Sequence, residues 1–299
     1  MLPQQSSRAT VSRLAANGEG AAVRKNVGSA AVGSSKVDLR SFEGTRMQDT
    51  GRGSVQLLNV DPELGRGLDP PRAREAALRL YARAIDVPRG RWTPAPALSG
   101  GSVPIGLLML EGLLVREATV GNQPCAELLG PGDLLRAWED NETEELLPRT
   151  IDWSAATAVR IAIVDHALAV RIAQWPEVFA TLMDRASRRA ERLVIMQAIA
   201  HLTRVDERLL SLLWMLAERW GRVVPGGVLV SLRLPHRTLA AMVGARRPSV
   251  TTALGQLMAR GEIERRSDGG WILRGQPPAG DRIGVESATP LPFRQPIGA

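Results

Sequence analysis

Two adjacent guanidiniums, Arg246 and Arg247, are followed within five residues by the hydroxyls of Ser249, Thr251 and Thr252. Arginine offers a planar fork of donors that matches phosphate oxygens or the O6/N7 edge of guanine, and hydroxyls add single bonds to phosphate. Grouped in this way, these side chains suit the recognition of a nucleic acid.

Such a cluster needs a rigid carrier, and the surrounding stretch LPHRTLAAMVGARRPSVTTALGQLMARGEI (234–263) supplies one. Leu239, Met242 and Val243 recur at helical spacing and give a first helix one apolar face. Gly244 stops it, since glycine enters the left-handed region without a Cβ clash. Pro248 suits the first turn of a second helix, where its missing N–H is no loss. Val250, Leu254, Leu257 and Met258 form that helix's apolar stripe, and Ala240, Ala241 and Ala245 allow the two helices to approach closely. Gly261 closes the second helix. IERRSDGGWIL follows, with Asp268-Gly269-Gly270 between two β-prone runs, a hairpin signal. A hairpin after a helix-turn-helix makes a winged helix, whose second helix enters the DNA major groove. A helix pair that only packs a core is the competing reading. Charge decides against it: residues 203–275 carry twelve arginines and six acids.

The phrase VGARRPSVTTALGQLMARGEI resembles, without a gap, the turn and recognition helix of the Crp/Fnr family of bacterial transcription regulators. The resemblance implies that Arg247 is the guanine-reading arginine. It places Arg246 and Ser249 on phosphate-touching positions, and Arg237 on another at the start of the preceding helix. Pro248 replaces the family's acidic base reader and Thr252 its second basic reader, so a different operator is expected.

Composition narrows the classes. With 299 residues, 44% of them hydrophobic, the chain is long enough for two domains plus tails. It has no run near the ~20 apolar residues of a membrane helix. The start, MLPQQSSRATVSRLAANG, lacks an apolar core of the secretory kind, and a cytoplasmic protein is expected. The single cysteine, Cys125, excludes an internal disulfide or a four-cysteine metal site and reads as a small buried residue. His166, His201 and His236 lack ligand spacing, so neither metal nor cofactor is expected. Neither a nucleophile elbow nor a phosphate loop nor a nucleotide-binding glycine fingerprint is present, which argues against an enzyme. The net charge of +7 favours polyanionic partners.

Upstream, order is expected from near Val55, with a short helix at 74–85. Brief β-prone runs follow at 103–110, 112–120, 126–130 and 155–165, broken by Gly and Pro, and suggest an antiparallel barrel or roll. LLMLEGLLVREATV and LLGPGDLLRAW resemble the Crp/Fnr sensory domain. The family's cyclic-nucleotide cassette has a Gly-Glu step whose carboxylate holds the ribose; here Arg136-Ala137 stand in its place. Arg149-Thr150 fall on the position that holds the cyclic phosphate. Burying ribose hydroxyls without that carboxylate costs ~1–3 kcal/mol, which disfavours a cyclic nucleotide. The acidic run 139–145 reads as a solvated loop.

In 175–200, Phe179, Ala186, Leu193 and Ala200 repeat at seven, with Leu182 and Met196 near the complementary positions. At this place the family has its dimer helix, and Arg185, Arg188, Arg189 and Arg192 read as its solvated face. VDERLLSLLWMLAERWG (205–221) reads as the first helix of the winged domain.

The expected fold is α+β: a disordered basic arm (1–53), an antiparallel β-roll of cyclic-nucleotide-binding-like type (54–174), a dimerisation helix (175–202), a winged helix-turn-helix (203–275) and a disordered tail (276–299). The expected function is that of a homodimeric regulator on a pseudo-palindromic site in double-stranded DNA, with RNA polymerase as a further partner. The alternative is a sensory or protein-interaction adaptor of the same fold with weak DNA binding.

Overall fold

The computed structural model describes residues 53–94, 104–137 and 147–278. The acidic run, the tail from 279 and all of the arm before Gly53 lie outside them.

Two antiparallel sheets face each other to form a β-roll. One has the order β1 (Gly53–Gln56), β2 (Tyr81–Val87), β9 (Val159–Val164), β4 (Gly106–Glu111), β7 (Leu134–Leu135). The other runs β3 (Gly90–Trp92), β8 (Arg149–Ala155), β5 (Leu114–Val120), β6 (Gln123–Leu129). On β4, Leu107 and Met109 point between the sheets while Leu108 and Leu110 point to the opposite face. Strand β9 divides likewise, with Ile161 and Ile163 inside and Ala162 and Val164 outside. Both faces are therefore buried, which is why these strands read as unbroken apolar runs rather than alternating ones. The outer face is covered by α1 (Leu57–Val60), α2 (Pro70–Arg79), α3 (His166–Ile172) and the first half of α4 (Pro176–Ala200), through Leu168, Val178 and Leu182 among others. Gly112 turns β4 into β5 at φ +82°, where a Cβ would lie 2.1 Å from the Ala158 carbonyl oxygen.

The helix expected at 74–85 is displaced. Asp69 caps α2 by accepting from the Arg72 amide at 2.9 Å, and the helix ends at Arg79. Residues 81–87 are instead a strand held between β1 and β9. Ala82 and Ala84 are good helix formers, yet here they are the small residues that let helices pack on the sheet.

The C-terminal part consists of α5 (Val205–Trp220), β10 (Gly221–Val224), β11 (Gly227–Val230), α6 (His236–Met242), α7 (Arg247–Ala259), β12 (Ile263–Arg265) and β13 (Trp271–Leu273). The four strands form one antiparallel sheet, β10-β11-β13-β12. Gly221 passes directly from helix into strand; a Cβ there would lie 2.3 Å from the Ala217 carbonyl oxygen. One apolar core joins this part to the roll, with Val115, Ala126 and Leu128 of β5 and β6 continuous with Trp214, Leu239 and Met242.

Two single-residue expectations fail. Cys125 is exposed on β6 rather than buried, and partial desolvation followed by the Glu127 carboxylate raises its thiol pKa. Met258 is exposed on α7, where Ala253 takes its place in the buried stripe with Val250, Leu254 and Leu257. No helix among the described residues is long and apolar enough to cross a membrane.

Candidate nucleic-acid interface

Helix α6 ends at Met242, and Gly244 follows at φ +60°. The Ala245 amide bonds the Ala240 carbonyl at 2.9 Å, closing the turn. Arg208 of α5 braces the turn from below, donating to the Leu202 and Val243 carbonyls at 2.6 and 3.3 Å. Helix α7 then starts at Arg247 with Pro248 in its first turn, and no side chain caps it. Its first amides are therefore open to an anionic ligand, as at any uncapped helix start.

Arg237, Arg246, Arg247, Ser249, Thr251 and Thr252 are all exposed. Arg246 and Arg247 have no carboxylate within salt-bridge reach among the described residues, unlike Arg237, Arg260 and Arg274 of the same part. Thr251 is engaged within the protein, bonding His236 Nδ1 at 2.9 Å and donating to the Arg247 carbonyl at 3.2 Å. It thereby ties the head of α6 to α7. Arg237 donates to Glu117 of the roll at 2.9 Å.

Two residues that the sequence did not single out belong here. Arg204 stands across a groove of about 480 Å³ from Ser249 and Thr252. It shares the buried Asp206 with Arg260, at 2.8 and 3.0 Å, and the Arg204 hydrogen bond leads the interactions that hold the Asp206 carboxyl below its usual range. His236 has its pKa lowered from the ordinary 6.5 by desolvation first, then by Arg265 of the wing and Arg247 of α7. Its contribution to stability is complete above pH 6.5 and is lost as the pH falls through the depressed value. A phosphate seated among these cations would offset the Arg265 and Arg247 contributions and so raise the pKa from its depressed value, while the desolvation that leads the shift remains. Duplex binding is therefore expected to take up protons below about pH 6.5. Titrating affinity against pH checks this, and an unchanged pH profile in His236→Gln would refute it.

The arginines of α4 are not a solvated face. Arg185 bonds Asp61, and Arg189 grips Glu127 through Nε and Nη2 at 2.7 and 2.8 Å. Arg192 donates to Asp133 at 2.5 Å. Arg188 alone of the four matches the expectation, exposed and paired with Asp184 on its own helix. Asp133, with 3% of its side chain exposed, also accepts from the Gly130 amide at 2.8 Å and from Arg219 of α5 at 2.7 Å. Three elements thus converge on one carboxylate. The fit is tight: a Cβ on Gly130 would lie 2.9 Å from the Trp220 ring.

In the roll, Arg116, Arg136, Trp153 and Arg189 line a cavity of about 360 Å³ together with Leu134 and Leu135. Arg149 and Thr150 do not line it. They lie exposed at the start of β8, opposite Val120 and Thr119.

An antiparallel roll, a long helix and a winged helix-turn-helix in one chain define a class of DNA-binding transcription regulator. Residues 207–274 match the Crp-like helix-turn-helix domain. The CRP-like cAMP-activated global transcriptional regulator of Mycobacterium tuberculosis is 30% identical over 189 residues, 63% of this chain and 83% of that protein. Regulatory protein CysR of Synechococcus elongatus is 32% identical over 202 residues, 63% of this chain and 90% of the relative. The chain belongs to the Crp/Fnr family. Among solved structures, a CRP/FNR-family regulator from Thermus thermophilus is 25% identical with a TM-score of 0.40, covering 64% of this chain and 93% of that one.

Proposed function

We propose that this regulator binds a pseudo-palindromic DNA site as a homodimer, each α7 entering a major groove with Arg247 on a guanine. Arg246, Ser249 and Arg237 hold phosphates, and Thr252 faces the bases one turn on. The observation that carries this reading is the exposed Arg246-Arg247 pair at the uncapped head of α7, with no carboxylate in salt-bridge reach among the described residues. The pairing of protomers along α4 is supported by its exposed apolar stripe. The domain limits follow the sequence reading: roll 54–174, dimer helix 175–202, winged domain 203–275. Transcription control implies contact with RNA polymerase.

The roll supports an effector domain altered away from cyclic nucleotides. Ala137, at the place of the ribose carboxylate, is 3% exposed and packs in the apolar core between the sheets. With Arg149 and Thr150 outside the cavity, neither half of the family's cassette stands ready there.

In vitro selection of bound duplexes tests the DNA reading. Arg247→Ala is expected to cost about 1–3 kcal/mol and to relax preference at one base pair per half-site. Arg246→Ala should weaken all sequences alike and reduce the salt slope by about one. An Arg247→Ala protein that selects the same site as the parent would overturn the assignment.

A further inference from the structure

The turn helix α6 rests on one patch of the roll, and the patch contains a charge. Val115 and Glu117 share a face of β5; their partners in register on β6 are Leu128 and Ala126. Val115, Ala126 and Leu128 belong to the apolar core that continues into the winged part. Glu117 is the one carboxylate among these four, with 17% of its side chain exposed.

On its other side Glu117 lies opposite Asp152 of β8, an acid facing an acid across an antiparallel pair. Like charges so placed repel unless each finds a cation. Asp152 takes Arg91 at 2.5 Å. Glu117 takes Arg237 at 2.9 Å, a residue of the DNA-binding part whose side chain is otherwise 78% exposed. Among the described residues the carboxylate is thus satisfied by reaching across to α6, and docking of α6 on the roll delivers the guanidinium to it.

A DNA phosphate at Arg237 would bring a second anion beside that carboxylate. We propose that Glu117 is an internal phosphate surrogate: while the winged part is docked on the roll, it occupies Arg237 and restrains duplex binding. This rests on the reading of Arg237 as a phosphate contact. It extends that reading, because any signal that lifts α6 from β5 and β6 frees the guanidinium for DNA.

The test is a double-mutant cycle on the full chain, using a fluorescein-labelled duplex of random sequence over a potassium chloride series. Phosphate contacts need no operator, so this probe isolates them. Glu117→Gln keeps the side chain's shape and removes its charge. It is expected to tighten binding about twofold to fivefold at low salt, as befits a partly exposed ion pair, and to leave the melting temperature near that of the parent. Arg237→Ala is expected to weaken binding and lower the salt slope by about one. In the Arg237→Ala background, Glu117→Gln should then have no effect. If Arg237→Ala weakens binding but Glu117→Gln changes nothing, the surrogate is overturned while the phosphate contact stands. If Glu117→Gln tightens both backgrounds equally, general charge repulsion is the cause and the surrogate is again overturned. If Arg237→Ala leaves affinity and slope unchanged, the phosphate assignment fails and the surrogate fails with it.

Discussion

Asp133→Ala is expected to destabilise the protein by about 3–5 kcal/mol, the usual result of removing one member of a buried ion pair. The carboxylate holds the Gly130 amide, Arg192 and Arg219 at once, so its loss leaves two guanidiniums without their anion. Arg192 is already disfavoured as a cation: desolvation, with the Arg219 charge contributing, lowers its pKa even with the carboxylate present. For a folded region of this size the corresponding fall in Tm is roughly 6–20 °C, measurable by circular dichroism or calorimetry. The coupling should suffer as well as the stability. Arg219 also donates to the Pro131 carbonyl at 2.7 Å, and Trp220 packs against Gly130, so α5 would keep these weaker holds on the turn at 130–133. A second, lower unfolding transition is the expected sign that roll and winged part have come apart. Asp133→Asn, which keeps an acceptor for the Gly130 amide, should fall between the two. A melting temperature within a degree or two of the parent would show that the two arginines find water or other acceptors, and that the convergence on Asp133 is incidental.

The legibility of this molecule in its sequence divides by the range of the interactions. Gly244, Pro248 and Gly261 act on their own backbone, so the turn and both ends of α7 can be read directly, as can the hairpin at Asp268-Gly269. The exposed donors of α7 follow from helical periodicity in the same way. What could not be read depends on partners distant in the chain. Arg192, Arg189, Arg219 and Arg185 meet their carboxylates across 59, 62, 86 and 124 residues. An arginine on a helix looks the same whether it faces solvent or a buried Asp. Strand β8 escaped notice because four of its seven residues are exposed and its pairing with β5 is what makes it a strand. The place of Arg149 was a matter of alignment to a cassette, whereas its actual position is set by the register opposite Val120. Cys125 shows the same limit on a single residue, since its exposure depends on which face of β6 the neighbouring elements cover.

Leu193→Asp is expected to turn the proposed dimer into a monomer. Helix α4 carries two apolar stripes, and only one is covered by other described residues. Val178, Leu182, Met196 and Ile199 are buried, which moves Leu182 and Met196 from the expected seam to the core side. Phe179, Met183, Leu193 and Val194 are exposed, Phe179 by 53% and Val194 by 65%. Positions 179, 183, 186, 190, 193 and 197 alternate spacings of four and three, the 3.5-residue period of a two-helix seam. At 186 and 190 the residues are alanines, small enough to let two such helices approach closely. A symmetric pairing uses every position twice, so one substitution removes two contacts. Each buried leucine contributes about 1.5–3 kcal/mol, and the dimer dissociation constant should rise by roughly two to four orders of magnitude. Sedimentation equilibrium over a concentration series reads that change directly. The folded protomer should survive, because Leu193 is already 40% exposed without a partner. Affinity for a two-half-site duplex should fall steeply while affinity for a single half-site barely moves, because linkage of the two heads is what has been lost. A Leu193→Asp protein that still sediments as a dimer would place the interface elsewhere and leave the apolar stripe of α4 without a role.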